Sequence, residues 1–332
     1  MINTIYVEES VLDHPRTRQI FERFPAATLI TCQRYTEIFN RKSQNFRLQK
    51  KQPALILASK FKQHVLPVPD NYCLGAQHNY YFSHMLNCMY DCRYCFLQGM
   101  FRSAHYVLFV NYEDFATEIA KKIKQHESES IQFFSGYDCD SLALEPVTRF
   151  TEFFLPFFEQ HPQASMELRT KSTQIRPFLD RRPLDNVVIA WSFTPEEIAD
   201  ALEHKTPPVS KRIEAMTRLQ AYGWPVGIRF DPVIFDENFH MNYEKLFTNI
   251  FNRIDIDSLH SVSLGSFRLP RDYFRNIYKL YPDEILLASP LEEHNGIMRY
   301  KQQLEKEMLT FCSEKILTFV PERKFFPCYD PA

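Results

Sequence analysis

From about residue 79 to residue 281 the chain alternates short hydrophobic, β-rich runs with segments of helical spacing, and this alternation constrains the fold more than any other feature. The runs fall at 80–83, 131–135, 165–170, 187–193, 226–230 and 261–264. Helix-like stretches lie between them at about 112–126, 146–160, 195–202, 210–222 and 241–254, with one more at 271–281. The spacing is clearest over 210–222, where Ser210 is placed to cap the start, Ile213, Met216 and Leu219 recur on one face, and Gly223 can end the helix. Six alternating units predict an α/β chain whose parallel strands curve into a partial (β/α)6 TIM barrel. Residues 1–75 then form an N-terminal extension, 76–270 the barrel, and 271–332 a C-terminal extension packing on the barrel.

Parallel barrels of this kind gather their chemistry at the carboxyl ends of the strands. There the predicted strands run into 87–98, 135–140, 169–172, 192–194 and 231–232, which would ring one mouth. The first of these segments carries Cys88, Cys92 and Cys95, three cysteines within eight residues, separated by three residues and then by two. Thiolates this close can converge on one soft metal centre, and sulfur ligands favour iron–sulfur clusters, zinc or Cu(I). Three are one short of a closed four-cysteine site, so a four-iron cluster held here would keep an open iron.

The composition narrows the function classes. With 332 residues, 45% of them hydrophobic, the chain can bury a large core. A net charge of −2 argues against a protein that coats nucleic acid without specificity. The seven glycines form neither G-x-G-x-x-G nor a P-loop, which excludes dinucleotide dehydrogenases and P-loop ATPases. No signal peptide opens the sequence and no apolar run approaches about 18 residues, so no membrane is involved, and thiolate ligands suit a reduced, cytoplasmic setting.

Other features carry two readings each. The basic stretch of Arg41, Lys42, Arg47, Lys50, Lys51, Lys60 and Lys62, among Tyr35, Phe39 and Phe46, is either a solvated face or a groove for phosphates with an aromatic to stack a base. His78 and His84 precede the cysteines and read as polar or packing histidines rather than ligands. Phe150, Phe153, Phe154, Phe157 and Phe158 have the spacing of a helix face turned to the core. Lys315, Arg323 and Lys324, near Phe325 and Phe326, suit a DNA contact or a packed terminal segment equally. Cys32, Cys73, Cys312 and Cys328 are scattered and carry no assigned chemistry.

A three-then-two cysteine loop with an aromatic, Tyr94, just before its last cysteine resembles the cluster loop of radical S-adenosylmethionine (SAM) enzymes, whose usual core is a six-stranded partial barrel. The loop continues into Phe96-Leu97-Gln98. Asp140 with Leu144-Glu145-Pro146-Val147-Thr148, Arg169-Thr170-Lys171, Trp191-Ser192-Phe193, Lys211-Arg212-Ile213-Glu214-Ala215 and Gly223-Trp224-Pro225-Val226-Gly227 follow. Together these stretches, over roughly residues 50–270, resemble the spore photoproduct lyase family. The resemblance implies a radical SAM lyase that reductively cleaves SAM at a 4Fe-4S cluster, generates a 5′-deoxyadenosyl radical and repairs a pyrimidine lesion in DNA. By the same resemblance Cys88, Cys92 and Cys95 ligate the cluster, Lys171 and Ser192 contact SAM, and Tyr94 packs against SAM and takes part in hydrogen transfer. A reducing donor such as flavodoxin or ferredoxin would supply the electron.

The sequence departs from the family's pattern at two places. Aligned on Asp140 and Leu144-Glu145, the family's hydrogen-donating cysteine falls on Tyr137, with Cys139 two residues later. The second relay tyrosine is Phe96, which has no O–H to give. Cys139 and Tyr137 are therefore the candidate hydrogen donors, and Asp138 and Asp140 would raise the thiol pKa, favouring a neutral S–H donor over a thiolate nucleophile. Two alternatives stay open at this point: a radical SAM enzyme of the same family acting on a non-lesion substrate, and a non-catalytic, metal-containing nucleic-acid-binding protein.

Overall fold

The six β-rich runs become six parallel strands, hydrogen-bonded to one another in chain order: His78–Phe82, Ile131–Ser135, Ala164–Thr170, Val187–Ser192, Val226–Val233 and Leu259–Ser266. This is a computed structural model, and it describes residues 2–69 and 74–328, so that Cys73 lies outside the described residues. The fourth of these strands, Val187–Ser192, is buried at every position because both its faces are covered, whereas the first, His78–Phe82, is half-buried over most of its length. Phe325–Pro327 adds a parallel strand beside the sixth, and Leu66–Pro67 an antiparallel one beside the first. The resulting eight-stranded sheet has two unjoined edges and curls as an incomplete TIM barrel.

Helices Tyr112–Gln125, Glu196–Leu202, Val209–Tyr222, Phe239–Phe251 and Arg271–Leu280 lie where the spacing predicts them. Two details differ. The stretch expected at 146–160 is split by Arg149, at φ 48°, into Glu145–Thr148 and Phe150–Glu159. The helix ending at Gly223 begins at Val209, so Ser210 sits inside its first turn and caps nothing; Pro208, extended at ψ 149°, delivers the chain straight into the helix. The phenylalanine run does face the core: Phe154 lies 5.2 Å from Phe82 and Phe158 6.1 Å from Phe133, ring to ring.

A second sheet stands beside the barrel. Its order is Thr28–Cys32, Thr4–Glu8, Leu55–Ala58, Tyr106–Phe109 and Met85–Leu86. The last two strands, paired antiparallel, lie immediately before and after the cysteine segment. That segment is thus held at both ends by one sheet. Among the described residues no helix is long and apolar enough to cross a membrane.

Candidate active site

The cysteine segment is folded back on itself by polar anchors. Asn87 takes φ 72° and its side-chain amide donates to the carbonyls of Ser103 and His105 at 2.6 and 3.0 Å. Asp91–Cys92 pairs antiparallel with Glu203–His204, and the Arg93 N–H donates to the Leu202 carbonyl at 2.8 Å. Lys50 pairs with Asp91 at 3.2 Å, and the Arg93 guanidinium lies 3.7 Å from the centre of the Tyr281 ring. After the last cysteine the short helix Leu97–Met100 rests on Arg271–Leu280, with the Asn276 amide donating to the Gly99 carbonyl at 2.9 Å.

This curl turns Cys88, Cys92 and Cys95 into one cavity of about 230 Å³, which Cys139, Lys171 and Ser192 also line. All three are free thiols. Withdrawal from water pushes each pKa up, Cys88 to about 12 with Asp140 adding to the effect. A cationic metal centre reverses that penalty, since thiolate is the ligating form. Among the described residues the one trio of metal-ligating atoms lying within 4.8 Å of one another is His78, His126 and Glu129. At least one pair of the three sulfurs therefore stands more than 4.8 Å apart, beyond the roughly 3.8 Å between sulfurs around a single tetrahedral zinc with Zn–S of about 2.3 Å. An all-sulfur, three-ligand set with that spread fits a polynuclear cluster with one open iron better than a mononuclear ion.

Beneath the cavity lies a buried charge network that the sequence does not announce. Glu203 is fully enclosed; it accepts a hydrogen bond from the Tyr94 hydroxyl and another from Thr194 Oγ1 at 2.9 Å. Arg212 Nη1 pairs with it at 2.6 Å and Lys171 Nζ approaches to 3.7 Å. Burial opposes the ionisation of Glu203, but Lys171 and Arg212 outweigh it and hold the carboxyl below its ordinary range. Arg212, on the helix Val209–Tyr222, also donates to the Pro207 carbonyl at 2.7 Å and to Thr206 Oγ1 at 2.7 Å. Tyr94 is kept a neutral phenol by burial and by the Glu203 charge.

The loop after the second strand is shaped by Gly136 and Asp140. Gly136 adopts φ 77°, and a Cβ there would lie 3.0 Å from the Cys139 carbonyl oxygen, so only glycine allows this tight return. Asp140 accepts from the N–H groups of Leu142 and Ala143 at 3.0 and 2.9 Å, from Thr170 Oγ1 at 2.7 Å and from the Lys171 N–H at 2.7 Å. It ties this loop to the end of the third strand. Cys139, buried, is brought beside Cys88; burial above all, with the neighbouring Cys88, Asp140 and Asp138 adding to it, holds its thiol protonated. Tyr137 is half-buried, its ring 5.6 Å from Phe96 and 4.3 Å from Tyr81. Every site residue expected from the sequence, Cys88, Cys92, Tyr94, Cys95, Tyr137, Cys139, Lys171 and Ser192, lines this one cavity.

Several residues go elsewhere. His84 is buried against Phe150, 4.1 Å ring to ring, and burial lowers its pKa to about 3, so it is a neutral packing residue. His78 begins the first strand, at the end of the barrel opposite the cysteines. Phe39 and Phe46 are buried and offer no face for a base. Lys50 is spent on Asp91, and burial pulls the Lys60 ammonium down, opposed by Asp138, so this basic stretch is in part interior. Lys324 donates to the carbonyls of Ile256, Asp257 and Leu259 at 2.6–2.9 Å and closes the last strand onto the sheet.

The family model described as spore photoproduct lyase matches residues 1–303. The chain belongs to the spore photoproduct lyase family. It is accordingly a lyase of the radical SAM kind, which sets aside the non-catalytic reading. The spore photoproduct lyase of Bacillus subtilis (strain 168) is 25% identical over 250 residues, covering 71% of this chain and 72% of that protein. A Geobacillus spore photoproduct lyase is 21% identical over 198 residues, 59% of this chain and 58% of that one. Among solved structures, a spore photoproduct lyase mutant with bound AdoMet and dinucleoside spore photoproduct superposes with a TM-score of 0.86 at 18% identity, covering 99% of this chain and 98% of that one. A spore photoproduct lyase complexed with dinucleoside spore photoproduct gives 0.84 at 18%, with the same coverage. The likeness to these structures shows a shared fold.

Proposed function

We propose that the chain reductively cleaves SAM at a 4Fe-4S cluster held by Cys88, Cys92 and Cys95, and uses the outcome to repair a pyrimidine lesion of the spore-photoproduct type in DNA. The observation that carries this is the convergence of three free thiols with Lys171, Ser192 and Cys139 on a single cavity at the carboxyl ends of the barrel strands. The AdoMet and dinucleoside spore photoproduct bound to a protein of the same fold and family support the choice of cofactor and substrate. When bound, the cluster supplies the electron that splits SAM and an open iron to chelate it.

The chain's own residues do the rest. Lys171 offers an ammonium to the carboxylate or ribose of SAM, and its charge is metered by Glu203 at 3.7 Å. Ser192 ends its strand with a hydroxyl at the same wall. Tyr94 presents its ring to SAM while Glu203 fixes its hydroxyl, which positions the ring for hydrogen transfer. Cys139, kept as S–H, is the hydrogen-atom donor that quenches the product radical. Tyr137 stands next to Phe96, where the family has its second relay tyrosine, and brings an O–H of its own to the lining of the cavity. A reduced flavodoxin or ferredoxin in the cytoplasm is the electron source. The Phe96 and Tyr137 departures favour one second reading, the same radical chemistry on a substrate other than this lesion.

The ligand assignment is tested by substitution. Cys95→Ala should abolish SAM cleavage and lower the iron bound per chain, whereas Cys312→Ala, buried far along the chain in the helix Gln302–Leu317, should leave both intact. Cluster-dependent cleavage surviving in Cys95→Ala would remove that residue from the cluster.

A further inference from the structure

We propose that His78, His126 and Glu129 form a second metal site, for a divalent ion of zinc type, at the amino end of the barrel. Their ligand atoms all lie within 4.8 Å of one another. His78 opens the first barrel strand, His126 caps the C-terminus of the helix Tyr112–Gln125, and Glu129 sits in the turn leading to the second strand. The two imidazoles stack with centroids 3.6 Å apart and direct a nitrogen each at the same carboxylate oxygen: His78 Nε2 bonds Glu129 Oε2, and His126 Nδ1 stands 3.4 Å from it.

Two imidazoles and a carboxylate are a borderline N2O set, which suits Zn²⁺ and, in the same order of softness, Ni²⁺ or Cu²⁺. His126 meets the requirement that a ligating histidine engage a partner through its other nitrogen: its Nε2 bonds the Tyr80 hydroxyl at 3.0 Å, which leaves Nδ1 for the ion. The end of a four-turn helix adds the negative pole of its backbone dipoles to this spot. The backbone is fixed there independently of any ion. The Gln77 N–H donates to Ser130 Oγ at 3.0 Å, the Ser130 N–H to Gln77 Oε1 at 3.1 Å, and the His78 N–H to the Ser130 carbonyl at 3.0 Å. Glu129 is exposed and the histidines half-buried, so a fourth position is open to water and an entering ion has a path. Lys122, whose ammonium lies 5.3 Å from the centre of the Tyr80 ring, is the cation on this face that an incoming ion must tolerate. An ion here would clamp the start of the first strand to the helix and turn that precede the second.

The test uses the full chain with its iron–sulfur cluster loaded, dialysed anaerobically at pH 7.5 against micromolar zinc, with zinc and iron counted per chain. The expected result is one zinc bound, iron unchanged, and a thermal midpoint raised by zinc. Glu129→Gln, an exposed change that leaves the fold alone, and His126→Ala should each weaken zinc binding on the order of tenfold or more. His240→Ala should not. Zinc that enters only by displacing iron, binding equal in the parent chain and Glu129→Gln, or no binding at all would each overturn the proposal.

Discussion

Glu203 shows how a single buried residue can set the chemistry of neighbours far away in the chain. It meets Tyr94, Lys171, Thr194 and Arg212 at once, and removing its charge leaves a fully buried guanidinium without a counter-ion. Glu203→Gln should cost about 3 kcal/mol or more of unfolding free energy, read as a drop in the urea midpoint. The same residue carries a pH signature. Its carboxyl lies below its ordinary value of 4.5 in the folded state, so its stabilisation is complete above that value and is lost as the pH falls through the lower folded one. Glu167, paired with Arg229 at 2.6 Å and lowered to about 2, acts in the same direction. Stability should therefore fall on acidification below pH 4.5, and Glu203→Gln should flatten part of that slope; an unchanged slope would deny Glu203 its role. The cysteines could be read from the sequence because three within eight residues is a rare spacing, whereas Lys171 stood out only through the family resemblance of Arg169-Thr170-Lys171. Glu203 could not, because an acidic residue at the end of a short helix, 109 positions from Tyr94, looks like any solvated carboxylate. For the hydrogen donor, Cys139→Ala should cleave SAM normally yet divert the product radical, seen as a changed product spectrum, and the same products in the same yield would take Cys139 out of the reaction.

The cysteine segment is an element in its own right, gripped by the strands Met85–Leu86 and Tyr106–Phe109 at its ends and by Arg271–Leu280 at its helix. The grip depends on Gly99. A Cβ there would lie 2.8 Å from Tyr273 Cα and closer still to its carbonyl oxygen, so the two helices touch backbone to backbone. Gly99→Ala should force them apart at a cost of about 1–3 kcal/mol and reduce the iron retained after reconstitution; full retention would mean the helix is not part of the cluster's support. The six barrel strands were legible because each holds a short β-rich run of apolar residues set between helical segments, clearest in the fully buried Val187–Ser192. The side sheet was not: Met85–Leu86 is two residues long, and Thr4–Glu8 pairs with partners beyond the reach of any local pattern. Phe325–Pro327 hides for the same reason, since three residues ending in proline become a strand only because the sixth barrel strand waits beside them. The split at Arg149 depends on one left-handed residue that no hydrophobic period records.

At the scale of the molecule, an unclosed barrel gathers its candidate chemistry at one rim, where the half-open cavity leaves a bulky substrate a way in. Membership of the spore photoproduct lyase family supplies the reaction class, and the lesion is the part of the account that rests on proposal. The most direct test is anaerobic. The reconstituted, dithionite-reduced chain is given SAM and either a dinucleotide carrying the spore photoproduct lesion or the undamaged dinucleotide, and SAM cleavage and the repaired dinucleotide are followed together. The account predicts that the lesion is converted to the undamaged dinucleotide only when SAM and reductant are both present. SAM cleavage that proceeds equally with either dinucleotide while the lesion stays intact would contradict it.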